Sequence, residues 1–108
     1  MAYDVELAER IRDLASGTPG LSEKAMFGGL AFLVNGNMAI SASGEGGILV
    51  RVDPAESDAL VDSTAAEVAV MRGRPMTGWL RVASEHLGDE LGAWVDRGMT
   101  YAASLPPK

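Results

Sequence analysis

Cysteine is absent from this sequence, and histidine occurs once, at His86. Without cysteine there is no disulfide framework, no thiolate nucleophile and no thiolate metal site. Basic residues are outnumbered: nine Lys and Arg face fifteen Asp and Glu, giving a formal net charge of -6. Affinity for nucleic acid comes largely from Lys and Arg displacing counterions, so direct DNA or RNA binding is not expected. No window approaches the ~20 apolar residues of a membrane span. The opening Met-Ala-Tyr-Asp-Val-Glu lacks the basic region and apolar block of a signal peptide. A cytoplasmic protein with no membrane partner is the expectation. One hundred and eight residues fit a single domain over 1–108, with room for a core.

The most apolar stretch is Met26 to Ser43, MFGGLAFLVNGNMAISAS. Leu30 to Val34 is an unbroken apolar run, which suits a strand covered on both faces. Asn35-Gly36 is the pair that most readily takes the positive φ angles of a type I′ turn. On the return, Met38, Ile40 and Ala42 alternate with Ala39, Ser41 and Ser43, predicting a half-buried strand. This hairpin organises the rest.

Before it, Tyr3, Leu7, Ile11 and Leu14 recur at helical spacing, so residues 3–15 read as an amphipathic helix ended by Gly17, Pro19 and Gly20. After it, Ile48 to Val52 reads as a third strand, with Arg51 on the face opposite Ile48, Val50 and Val52. Asp53-Pro54-Ala55-Glu56 is a helix start, with a capping carboxylate and proline at the first helical position. That helix should run to about Val61. Val68 to Arg72 and Gly78 to Val82 read as a second hairpin around the turn Gly73-Arg74-Pro75-Met76, with Leu80 and Val82 facing oppositely to Trp79 and Arg81. Finally Leu87, Leu91, Trp94, Val95, Gly98 and Ala102 form one helical stripe, stopped by Pro106-Pro107. The order is α-β-β-β-α-β-β-α, an α+β domain with no repeat or linker.

With that order laid out, Lys24-Ala25-Met26-Phe27-Gly28-Gly29, then Gly73-Arg74-Pro75-Met76 with Gly78-Trp79, then Trp94-Val95 with Arg97-Gly98 resembles the TfoX/Sxy family's N-terminal domain. Ser104-Leu105-Pro106-Pro107-Lys108 resembles the close of its short stand-alone members. The resemblance covers nearly the full chain and implies a two-layer α/β sandwich of the secretion-chaperone-like type. It implies a regulatory role as well, because the name-giving members help a transcription factor act in natural competence. Those members carry a second, C-terminal domain; this chain stops at Lys108, so roles that need that domain are not expected of it. The family brings no catalytic residues.

Residues 68–84 contain Arg72, Arg74 and Arg81 and no carboxylate, a local reversal in an acidic chain. Trp79 and Arg81, joined by Arg51, predict a basic and aromatic patch beside the small residues Ala39 and Ser41, with Met76 next to it. Arg and Trp are enriched at interface hot spots, so the patch suits a protein partner. The bland alternative is that these arginines are solvated charges paired with Glu45, Glu56 or Glu67. The same arginines could instead clamp a small anion. Lys24 and Phe27 are further candidates for its border. Met26, Met38, Met71, Met76 and Met99 are either core fillers or an adaptable groove.

Other constellations are thinner. His86, in a chain without Cys, has no evident Ser or Asp partner and reads as a surface or capping residue. Asp58 and Asp62 lie four apart without a third ligand, so no metal or other cofactor is expected. Gly44, Gly46 and Gly47 precede a strand, whereas a phosphate cradle needs a helix N-terminus. The inventory does not assemble an enzyme's active site. Exposed sheet edges leave a homodimer open.

Overall fold

Asp4 starts the first helix: its carboxylate accepts the Leu7 backbone N–H at 3.2 Å, capping α1, Val5–Ala15. The computed structural model describes residues 3–26, 28–44 and 46–107. Phe27 and Glu45, and the side chains of Met26 and Met71, lie outside the described residues. From α1 the chain runs through β1 (Leu21–Met26), β2 (Gly29–Val34), β3 (Asn37–Ala42) and β4 (Ile48–Arg51). A short 3₁₀ turn, Pro54–Glu56, leads into α2 (Ser57–Ser63); then come β5 (Glu67–Met71), β6 (Arg74–Val82), two further 3₁₀ turns and α3 (Leu91–Ser104). The strands make one antiparallel six-stranded sheet in the order β1-β2-β3-β4-β6-β5.

This α+β architecture matches the sequence reading with one strand added. β1, LSEKAM, has no apolar alternation because it is an edge strand, and Ser22 to Ala25 are exposed. Charged side chains on an edge also discourage pairing with another chain. Glu23 is opposite Phe32, on the face that α1 covers, and Arg12 grips its carboxylate through two hydrogen bonds of 2.7 and 2.9 Å. Those hydrogen bonds hold the Glu23 carboxyl below its ordinary range.

A carboxyl depressed in the folded state adds stability above its unfolded value and loses it as pH falls through the folded one. Glu23→Gln is therefore expected to melt slightly below wild type at neutral pH. The gap should close below the usual carboxylate range and in high salt, because both side chains are partly exposed, 45% for Arg12 and 33% for Glu23. Thermal melts across that range are the check; a gap that persists in acid would mean that packing, not the ion pair, is responsible.

One face of the sheet lies under helices. Leu7, Ala8, Ile11 and Ala15 of α1 and Leu91, Trp94, Val95 and Ala102 of α3 pack on Phe32, Ile40, Val50 and Leu80. Leu14, expected in that stripe, is 50% exposed, and Ala15 takes the inward position. Asp53 caps as expected, accepting the Ala55 N–H at 2.9 Å.

The central hairpin differs in register from simple alternation. Phe32 pairs with Ile40 but Leu33 pairs with Met38, which leaves Ala39 as an extra residue, a bulge. Ile40 and Ala42 face the helices, whereas Met38 joins the opposite face. The bulge also turns Ala39 toward the helix-side core, so it does not border the basic patch as expected. All six β3 positions are buried, not half of them. Both hairpins close on positive-φ pairs, Asn35-Gly36 at 53° and 85° and Arg72-Gly73 at 53° and 77°. The second turn is thus Arg72-Gly73, and Arg74 to Met76 belong to β6.

Candidate functional site

The sheet face turned away from the helices is covered by no element among the described residues. Its floor comes from strand alternation: Ala31, Ser41, Leu49 and Arg81 are consecutive cross-strand neighbours on β2, β3, β4 and β6. The row continues outward to Lys24 on β1 and Glu67 on β5. Ala31, Met38, Leu49 and Ala69 form a second apolar cluster there, with Leu33 and Trp79 packed against it. These floor residues are almost fully buried although no layer covers them, because longer side chains stand around them.

A depression of about 770 Å³ opens on this face. Arg72 and Arg81 line it, with Ser41, Ser43, Leu49 and Glu67. Arg81 donates to the Ser43 hydroxyl at 3.0 Å. Further along the same face Arg51 is opposite Trp79, and its guanidinium lies 5.1 Å from the centre of that ring and 5.7 Å from the Tyr101 ring. This stacking orients Arg51 over Trp79, which is partly exposed. Met76 is opposite Ala69, which sets Met76 and Arg74, two residues before it, on this side.

Of the expected site residues, then, Arg72 and Arg81 share the depression, Arg51 and Trp79 form a neighbouring stack, and Arg74 and Met76 stand on the protruding hairpin. Leu49, Ala69 and Tyr101 were missed. Leu49 had a signal, since the inward alternation of Ile48, Val50 and Val52 turns Leu49 out with Arg51. Tyr101, on α3, is partly exposed beside Arg51. Glu67, one of the expected ion-pair partners, is the cross-strand neighbour of Arg81.

Arg72 is unusual. At φ 53° it occupies the left-handed region, where Asn35 serves the other hairpin turn. A side chain such as arginine costs about 1 kcal/mol there. Among the described residues Arg72 makes no ion pair that would offset this cost. Gly47 has a purely structural reason, because a Cβ there would meet the Val82 carbonyl oxygen. His86 is exposed, with the carboxylate of its neighbour Glu85 at 3.9 Å. Asp58 and Asp62 are both exposed, and among the described residues no three His, Asp or Glu gather as a metal set. No helix among the described residues is long and apolar enough to cross a membrane.

Helices on one face of an antiparallel sheet, with the other face bare and edged with cations, define a small two-layer α+β scaffold. The chain belongs to the TfoX N-terminal domain family, whose family model matches residues 13–102. A search of curated proteins returns no match.

Proposed function

We propose that this chain is a regulatory protein-interaction module of the cytoplasm, without enzymatic activity of its own, that docks a protein partner on the bare sheet face. The observation that carries this reading is Arg72, held in a left-handed turn position that favours asparagine and making no ion pair among the described residues. Local strain at an exposed side chain points to a role outside the fold. Trp79, stacked with Arg51 and partly exposed, supplies the rigid aromatic kind of anchor common at hot spots. Family membership supports the regulatory part, through the competence regulators that give the family its name.

A second reading rests on the depression itself. Arg72 and Arg81 line it together with the hydroxyls of Ser41 and Ser43, a donor set suited to a small anion.

One pair of proteins tests both. Arg72→Asn suits the turn better than the native residue, so the double variant Arg72→Asn, Arg74→Ala should melt at or above wild type. Affinity capture from native lysate is expected to retain a specific protein on wild type and lose it on the double variant. Equal retention, or none, overturns the docking reading. A rise in melting temperature with phosphates, nucleotides or carboxylates that Arg72→Asn abolishes supports the anion reading, and a flat response removes it.

A further inference from the structure

Charge is sorted by layer in this molecule. The helical layer is acidic: Asp4, Glu6, Glu9 and Asp13 lie on or beside α1, and Asp53, Glu56, Asp58 and Asp62 on or beside α2. Glu85, Asp89, Glu90 and Asp96 continue the series through the third helical segment. The cations of that layer are engaged within the molecule. Arg10 donates to the Gly88 carbonyl at 3.1 Å, Arg12 grips Glu23, and Arg97 lies 4.7 Å from the centre of the Trp94 ring.

The bare face is the reverse. Lys24, Arg51, Arg74 and Arg81 lie on it with Arg72 at its hairpin turn, and among the described residues Glu67 is the carboxylate that shares it. Lys24, Arg72 and Arg74 make no ion pair among the described residues. Between the cations lies a floor of small or apolar side chains, Ala31, Ser41, Leu49 and Ala69. An occupant must therefore bring negative charge at its margins and an apolar group in the middle.

Resting on the docking reading above, we infer that the occupant is an acidic protein segment with a central apolar side chain, which seats over Leu49 and Ala69 while its carboxylates meet Lys24, Arg72 and Arg74. Nucleic acid fits less well, because the acidic layer and the net charge of -6 repel a polyanion, whereas a short acidic segment meets the local field. Complementary charge makes such docking fast and salt-sensitive, and the apolar anchor keeps part of the affinity in salt.

Site-specific photo-crosslinking tests this. A benzophenone residue replaces Met76, which is partly exposed and opposite Ala69 on the bare face, and in a control protein it replaces the exposed Ala59 on α2. After irradiation in native lysate, the peptide joined to the probe is identified by mass spectrometry. The expected adduct, at position 76 and not 59, is an Asp- and Glu-rich segment with an aliphatic or aromatic residue. Its yield should fall roughly tenfold in Arg72→Asn, Arg74→Ala, the size of losing an exposed ion pair at each. A synthetic copy of that segment should bind purified protein, and a copy with Gln and Asn for its carboxylates should not.

A neutral or basic segment, a second copy of this chain, or a nuclease-sensitive adduct overturns the inference. A neutral or basic protein segment that still depends on Arg72 and Arg74 leaves the docking reading standing. No adduct specific to position 76 overturns both.

Discussion

Gly98→Ala is expected to destabilise the protein by about 2 kcal/mol, the usual range for forcing atoms into a packed core. Alanine in a helix interior would ordinarily gain ~1 kcal/mol over glycine, so the sign of the result is informative. At position 98 a Cβ would lie 2.6 Å from the Ala39 carbonyl oxygen, 3.2 Å from its carbon and 3.1 Å from Val50 Cγ2. Two of those three atoms are backbone and cannot rotate away. The close approach follows from the bulge, because Ala39 has no partner on β2 and turns toward α3. Gly92→Ala, on the same helix, is the control: its Cβ would meet only Leu14 Cδ2, at 3.9 Å, and that variant should gain stability. Urea unfolding with an unchanged m-value checks both. If both variants were stabilised, the helix would have to stand farther from β3 than the structure has it.

What the sequence revealed of this fold depended on periodicity. The stripe Leu87, Leu91, Trp94, Val95, Gly98 and Ala102 is buried throughout, and the inward alternation of Leu80 and Val82 against Trp79 and Arg81 is observed. Both cases are regular elements packed on one side, where pattern and burial coincide. β1 was invisible because an exposed edge strand need not alternate. The register slip between Phe32 and Leu33 left no trace either, since Met38, Ala39 and Ile40 are all apolar and either facing satisfies their composition. Leu14 misled because its spacing from Ile11 fits the stripe, while Ala15, small enough to sit beneath the sheet contacts, does the burying.

The site was legible in composition and not in geometry. A run of seventeen residues without a carboxylate, 68–84, drew attention to Arg72, Arg74 and Arg81. Sequence could not divide them between the depression and the hairpin, because that division follows from where the turn falls. Placed at Gly73 to Met76, the turn would have made Arg74 its tip. At Arg72-Gly73 it puts Arg72 in the left-handed position and Arg74 in the strand. The sorting of charge between layers was equally hidden, since Glu23 lies on the strand that periodicity did not show, and only the pairing turns it toward α1 and Arg12. Once Glu23 is assigned to the helix side, the bare face is left with a clear excess of cations.

Phe32→Ala should have the larger effect on the fold, a loss of about 3–5 kcal/mol against the ~5–15 kcal/mol that holds a domain together. Phe32 is fully buried and, among the described residues, is the largest side chain exposed by less than 2%. It pairs with Ile40 at the last regular position before the register slips, so it fixes the point at which Met38 changes face. Truncation opens a cavity under both α1 and α3, and backbone shifts there would let β2 and β3 pair without the bulge. Phe32→Leu, which keeps most of the volume, should lose roughly 1 kcal/mol and remain measurable by urea unfolding if the alanine variant does not fold. Hydrogen exchange on the leucine variant locates the damage. Amides of β2 and β3 should exchange faster than in wild type, with the β5–β6 hairpin little changed. Uniform acceleration over all six strands would mean instead that Phe32 supports the whole sheet equally and that the bulge is set elsewhere. Because Met38 reaches the bare face only through that bulge, a variant that erased it would also remove part of the floor of the proposed docking surface, joining the packing of the core to the shape of the site.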